Sequence, residues 1–240
     1  QVTGLLYIGR NAALTEVNLD NLTSVGSTLT VSENSQLSSL GGMGLGNLTT
    51  VGNTATITLN PMLTKIDLSG VTSLPTGRLV VGANAGLTSL VLPPAGLVKS
   101  LSLYGLVSLQ SVNLDVLPPV MTELNLGYAS GSPNTILSDI GSNKLSQLTE
   151  VTGALYIASS PGLFEVNLDH LTSVGSTFRI SSNGGLTSIG STTLGSLTNL
   201  GGTLTVQTNP QLMFCKPQSD AIKVRIPAAT ITYSGNACSP

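Results

Sequence analysis

A chain of 240 residues with 40% hydrophobic content has material for a sizeable core, yet only 20 of its side chains are charged. Charged residues make up 8% of the chain, against about 25% in an ordinary soluble domain, and 30 Ser and 29 Thr supply polarity in their place. The net charge of −2 excludes a nucleic-acid groove or a polybasic membrane contact, and no apolar run reaches the ~18 residues of a membrane span.

Along the chain an apolar-x-apolar triplet recurs: Leu6-Tyr7-Ile8, Leu29-Thr30-Val31, Ala55-Thr56-Ile57, Leu79-Val80-Val81, Leu101-Ser102-Leu103, Leu124-Asn125-Leu126, Leu155-Tyr156-Ile157, Phe178-Arg179-Ile180, Leu204-Thr205-Val206 and Ile231-Thr232-Tyr233. Successive triplets begin 23, 26, 24, 22, 23, 31, 23, 26 and 27 residues apart, and a near-fixed period of this size is the signature of a repeat architecture. Three residues past the triplet stands an asparagine in six units, Asn11, Asn34, Asn60, Asn84, Asn183 and Asn209; Leu106 and Ser160 break the rule. A leucine follows each asparagine by three and opens a second pattern, Leu14-x-x-Val17-x-Leu19 in the first unit. A third pattern completes it, Leu22-Thr23-Ser24-Val25.

Three short alternating segments per period, punctuated by Gly, Asn, Ser and Pro, are too short for helices and predict three strands per coil. One coil cannot bury its apolar side alone, so stacked coils share a core. The expected fold is all-β, a parallel β-solenoid of about nine to ten coils, roughly 45 Å long at ~4.8 Å per coil. It spans residues 1–240 as a single domain. The asparagines are expected to form a structural ladder that satisfies backbone groups at a corner.

With an offset of 149, residues 1–61 match residues 150–210 without gaps at 33 of 61 positions, which indicates segmental duplication. Because the first copy starts inside a repeat with no polar cap, a longer natural protein is expected. Beyond Leu212 the repeat dissolves, and residues 213–240 are expected to form a C-terminal cap. Cys215 and Cys238 bracket it and read as one disulfide, which implies an oxidising compartment. Free buried thiols, or a two-cysteine metal site with no nearby histidine, are the alternatives.

The phrases Leu22-Thr23-Ser24-Val25-Gly26 and Asn60-Pro61-x-Leu63, alternating with Leu6-Tyr7-Ile8, resemble the receptor L-domain family of leucine-rich-repeat-like β-helices. The likeness covers about residues 1–212. It implies a right-handed solenoid, and its flavour is that of fungal cell-wall, protist and algal surface proteins more than of hormone receptors, whose extra cysteines and tryptophans are missing here. It carries no catalytic residues over, since the family shares none.

Candidate sites are few. His170, the lone imidazole, follows Asp169 at a turn and reads as exposed. Glu16, Asp20, Glu165 and Asp169 suggest a carboxylate pair for glycoside cleavage, but twins six coils apart cannot act together, and solvated surface is the plainer reading. Asn21 and Asn47 head N-glycosylation sequons, with Asn236-Ala237-Cys238 a weak variant. The outward residues of the first strand, among them Tyr7, Thr30, Thr56, Tyr156, Arg179 and Thr205, form a flat, weakly charged face for a protein or glycan. A threonine column, Thr23, Thr49, Thr72, Thr149, Thr172 and Thr198, resembles the arrays of ice-binding proteins. The irregular coil Gly127–Glu150 reads as a scar of the duplication.

These features point to a non-enzymatic extracellular or cell-surface solenoid for adhesion, ligand binding or structural assembly. No metal or cofactor is called for. Its partners would be surface proteins, glycans or copies of itself. The alternatives are ice binding and, at a distance, a carbohydrate-active β-helix enzyme, which needs clustered Asp, Lys and Arg that the sequence does not supply.

Overall fold

A computed structural model describes residues 1–127 and 138–238. Part of the irregular coil Gly127–Glu150 therefore lies outside the described residues. Ten strands form one parallel sheet in chain order: Leu6–Gly9, Leu29–Ser32, Ala55–Thr58, Arg78–Gly82, Ser100–Tyr104, Glu123–Leu126, Leu155–Ala158, Phe178–Ser181, Thr203–Gln207 and Thr230–Ser234. The pairing register places each apolar-x-apolar triplet beside the next, from Leu6 opposite Leu29 to Leu204 opposite Ile231. The chain is a parallel β-solenoid.

The other two faces of each coil are less regular. The third pattern gives two-residue strands, with Ser24–Val25 beside Thr50–Val51 and a four-stranded run from Val120–Met121 to Asn199–Leu200. Among the described residues the second pattern pairs fully only between Lys65–Asp67 and Ser89–Val91, and elsewhere makes single bridges such as Glu16 to Ser39 and Glu165 to Ser188. Alternation turns one residue of each triplet out and two in. The inward file Val31, Ile57, Val81, Leu103, Leu126, Ile157, Ile180 and Val206 is fully buried. Each such side chain contributes roughly 1.5–3 kcal/mol against the entropy of ordering the coil.

Each coil whose corner is described leaves the sheet through one left-handed residue directly before the ladder position. In order these are Arg10, Glu33, Leu59, Ala83, Gly105, Ser159, Ser182, Thr208 and Gly235, with φ between 51° and 63°. Seven are not glycine and carry a cost of about 1–2 kcal/mol each. Where an asparagine or serine follows, its side-chain hydrogen bonds hold the bend. At the corner between the third and first faces the coils approach so closely that a Cβ on Gly52 would sit 2.1 Å from the Gly26 carbonyl oxygen. The same distance separates a Cβ on Gly201 from the Gly175 oxygen, which explains the recurring Val-Gly of the repeat.

Within the cap the all-β expectation needs an addition, a ten-residue helix α1 at Lys216–Arg225. Its local signals are a proline in the first turn, Lys223 and Arg225 in the last, and Gln218, whose Oε1 accepts the Cys215 N–H at 3.0 Å. Phe214 and Ile222 close the core beneath it. Arg225 donates to the carbonyls of Leu194 at 2.8 Å and Leu197 at 3.2 Å, which fixes the helix over the turn between the second and third faces. The Cys215–Cys238 disulfide, with Cα atoms 5.6 Å apart, ties the end of the chain to the start of the helix.

Candidate binding face

The outward residues Tyr7, Thr30, Thr56, Val80, Ser102, Asn125, Tyr156, Arg179, Thr205 and Thr232 stand in one file, because the register advances without a slip. Most of the file is half-buried, with Tyr7 49% exposed at one end. Asn125 donates to the Ser102 hydroxyl at 3.1 Å, and Arg179 Nε donates to Ser181 Oγ at 3.1 Å. Aromatic rings lie flat on the sheet where a glycine makes room: a Cβ on Gly82 would stand 2.2 Å from the Tyr104 ring, and one on Gly9 2.4 Å from the Tyr7 ring. Charge on the face is sparse, and Arg78 and Glu123 approach each other at 3.9 Å.

The asparagine ladder runs along one rim of this face. Asn11 donates both its backbone N–H and its Nδ2 to Asn34 Oδ1, Asn34 does the same to Asn60, and Asn60 to Asn84, at 3.0–3.3 Å. Each Nδ2 also reaches a strand carbonyl, as from Asn34 to Ile8 and from Asn60 to Val31. In the second copy Ser160 starts the series and Asn183 and Asn209 continue it. The file ends on Asn236, which accepts from Asn209. Sequence reasoning treated Asn236 only as a weak sequon; the signal was its place three residues past Tyr233, identical in spacing to the other units.

The third-face threonines have a different occupation. Thr49 Oγ1 donates to the Thr23 carbonyl at 2.8 Å, Thr72 to Thr49, Thr149 to Pro119, Thr172 to Thr149 and Thr198 to Thr172. A parallel series on the second face links Ser38 to Thr15, Thr64 to Ser38 and Thr88 to Thr64. Much of the Ser and Thr content thus stitches coil to coil. On the sheet face the hydroxyls of Thr28, Thr30, Thr54 and Thr56 make no such bond among the described residues.

The acids also differ from the solvated reading. Asp20 accepts the N–H groups of Gly42 and Met43 at 3.1 and 2.9 Å, and Asp115 those of Ser142 and Asn143 at 3.0 and 2.9 Å. Asp169 takes those of Ser191 and Thr192, both at 2.9 Å, together with their hydroxyls. Each carboxylate caps a turn in the following coil, and a Cβ on the left-handed Gly190 would lie 2.4 Å from Asp169 Oδ1. Partial burial pushes the Asp169 carboxyl up, but the hydrogen bonds from Thr192 and Ser191 outweigh it and hold the group far below the usual carboxylate range. The same balance lowers Asp115.

Glu165 is paired with Lys144, while Glu16 is exposed. His170 is exposed, with Nδ1 2.9 Å from the Ser146 carbonyl. Asn21 and Asn47 are exposed, and Asn47 donates to the Asp20 carbonyl at 2.8 Å. Among the described residues no three His, Cys, Asp or Glu side chains converge as metal ligands, and no helix is long and apolar enough to cross a membrane. An open indentation of about 240 Å³ lies between the cap helix and Ser191–Thr193. No protein-family model, curated protein or solved structure matches this chain.

Proposed function

We propose that this chain is a non-enzymatic extracellular or cell-surface module whose ten-stranded face engages a protein or glycan. The observation that carries the reading is the outward file of the sheet, a broad, nearly neutral surface in unbroken register from Tyr7 to Thr232. Such a surface suits an extended partner better than a small substrate, which takes an enclosed pocket. The disulfide supports an oxidising compartment. The capping of turns by Asp20 and Asp169 argues against their use in acid–base chemistry. The receptor L-domain resemblance belongs to the same proposal, as does glycosylation at Asn21 and Asn47.

Glycan and surface-protein arrays probed with the purified chain test it. Specific binding is expected, reduced at least tenfold by Thr56→Arg, which places a charge on the face without touching the core. Binding to nothing, or binding indifferent to Thr56→Arg, overturns the reading. Ice binding is the weaker alternative, because the third-face threonines use their hydroxyls on backbone carbonyls.

A further inference from the structure

In the middle of the sheet Tyr104 lies flat on the outer surface. Strand alternation turns it outward together with Ser102. A Cβ on Gly82 would have the Tyr104 ring atoms Cζ, Cε1 and Cε2 at 2.2, 2.4 and 2.5 Å, so the ring rests face-on over the Gly82 backbone. Gly82 is the register partner of Tyr104 on one neighbouring coil, and on the other Gly127 follows the Leu126–Leu103 pair. With a glycine on either side, no side chain rises beside the ring in its own row. Tyr104 is half-buried, with one ring face on backbone and the other turned to solvent.

The surroundings of this shelf are neutral and rich in hydrogen-bonding groups. Ser102 stands two residues before Tyr104, and Asn125 of the next coil donates to its hydroxyl. Arg78 and Glu123, the register partners of Ser100 on either side, offset each other at 3.9 Å. Two coils beyond Tyr104, two steps of ~4.8 Å along the axis, Tyr156 is half-buried in the outward file. Exposed apolar side chains of the kind a protein partner buries at the centre of an interface, such as Phe164, Met213 and Val224, lie on the second face and the cap instead.

We propose that Tyr104 is a stacking site for one pyranose ring of a neutral β-1,4-linked glycan that crosses the sheet obliquely toward Tyr156. A pyranose with equatorial substituents has a flat C–H face that matches an open aromatic ring. An uncharged polymer matches a surface whose facing charges cancel, and its hydroxyls meet the Ser102 and Asn125 groups between the two tyrosines. In an extended β-1,4 chain each sugar is turned by half a revolution from the last, so alternate sugars present the same face. The two-coil step from Tyr104 to Tyr156 suits that alternation. This rests on the sheet being the recognition face and narrows its partner to a glycan of one linkage class.

Isothermal titration with cellohexaose and with chitohexaose tests it. The wild-type chain is expected to bind at least one of them. Tyr104→Ala should weaken that binding about tenfold or more, whereas Tyr104→Phe, which keeps the ring, should stay within about twofold. Val80→Arg, opposite Ser102 in the register, raises a charged side chain beside the shelf and should weaken binding as strongly; it replaces Tyr104→Ala should thermal melts show that variant unfolded. A wild-type chain that takes up neither hexasaccharide overturns the stacking site, as does binding that the folded variants leave unchanged. Capture of surface proteins alone, lost in Thr56→Arg, overturns the stacking site and leaves the broader recognition reading standing; binding to nothing overturns both.

Discussion

Residues 1–23 and their twins 150–172 share 14 of 23 side chains but not their surroundings. In the second copy Leu155, Ile157, Leu163, Val166 and Leu168 are fully buried, because the coil before them covers their N-terminal side. In the first copy Leu6, Ile8, Leu14, Val17 and Leu19 are only partly buried. The comparison teaches that in a solenoid burial belongs to the neighbour as much as to the residue. The same leucine is dry or reached by solvent according to what lies above it.

The largest contrast is expected from truncating matched leucines. Leu168→Ala should cost about 2–5 kcal/mol in chemical denaturation, through lost transfer energy and a cavity. Leu19→Ala should cost about 1 kcal/mol, since solvent already reaches the site. Equal costs would show that the first coil is covered in solution. Next comes the ladder. Asn183→Ala strands the buried Ser160 N–H, removes a second donor from the Ile157 carbonyl, and should cost about 2–3 kcal/mol. Asn11→Ala, at the exposed end, should cost below about 1 kcal/mol by the same measurement.

The smallest effect concerns the turn-capping acids. Asp169→Asn should cost about 1–2 kcal/mol at pH 7, and more than Asp20→Asn, which loses two N–H partners and no hydroxyl. The Asp169 carboxyl titrates lower in the folded chain than in the unfolded one, so its contribution is complete above the unfolded value of about 3.9. As the pH falls through the folded value that stability is lost. Thermal melts from pH 7 to pH 2.5 should show a shallower acid decline for Asp169→Asn than for wild type.

Much of the fold was legible because its determinants are periodic. The triplets located all ten strands of the main sheet, and the asparagine spacing found most of the ladder. What escaped was aperiodic or contextual. Helix α1 occurs once and offers no repeat to align, although Pro217, Gln218 and the terminal Lys223 and Arg225 are ordinary helix signals. The left-handed corner is invisible because Arg10, Glu33, Leu59 and Thr208 have nothing in common as residue types; the bend is imposed by the asparagine that follows. Asp20 and Asp169 looked like solvated acids because the N–H groups they cap lie 22 to 23 residues away.

By itself the amino-acid pattern determined the winding, since alternation with a period near 24 leaves stacking as the way to bury one side of every short strand. It also determined the chemistry of the surface, hydroxyls and amides in place of charge. Only the tertiary structure decided which hydroxyls bind backbone and which face outward, and which leucines are dry. Hydrogen bonding and burial depend on what the adjacent coil presents, and adjacency across 20 to 30 residues exists only once the chain has wound.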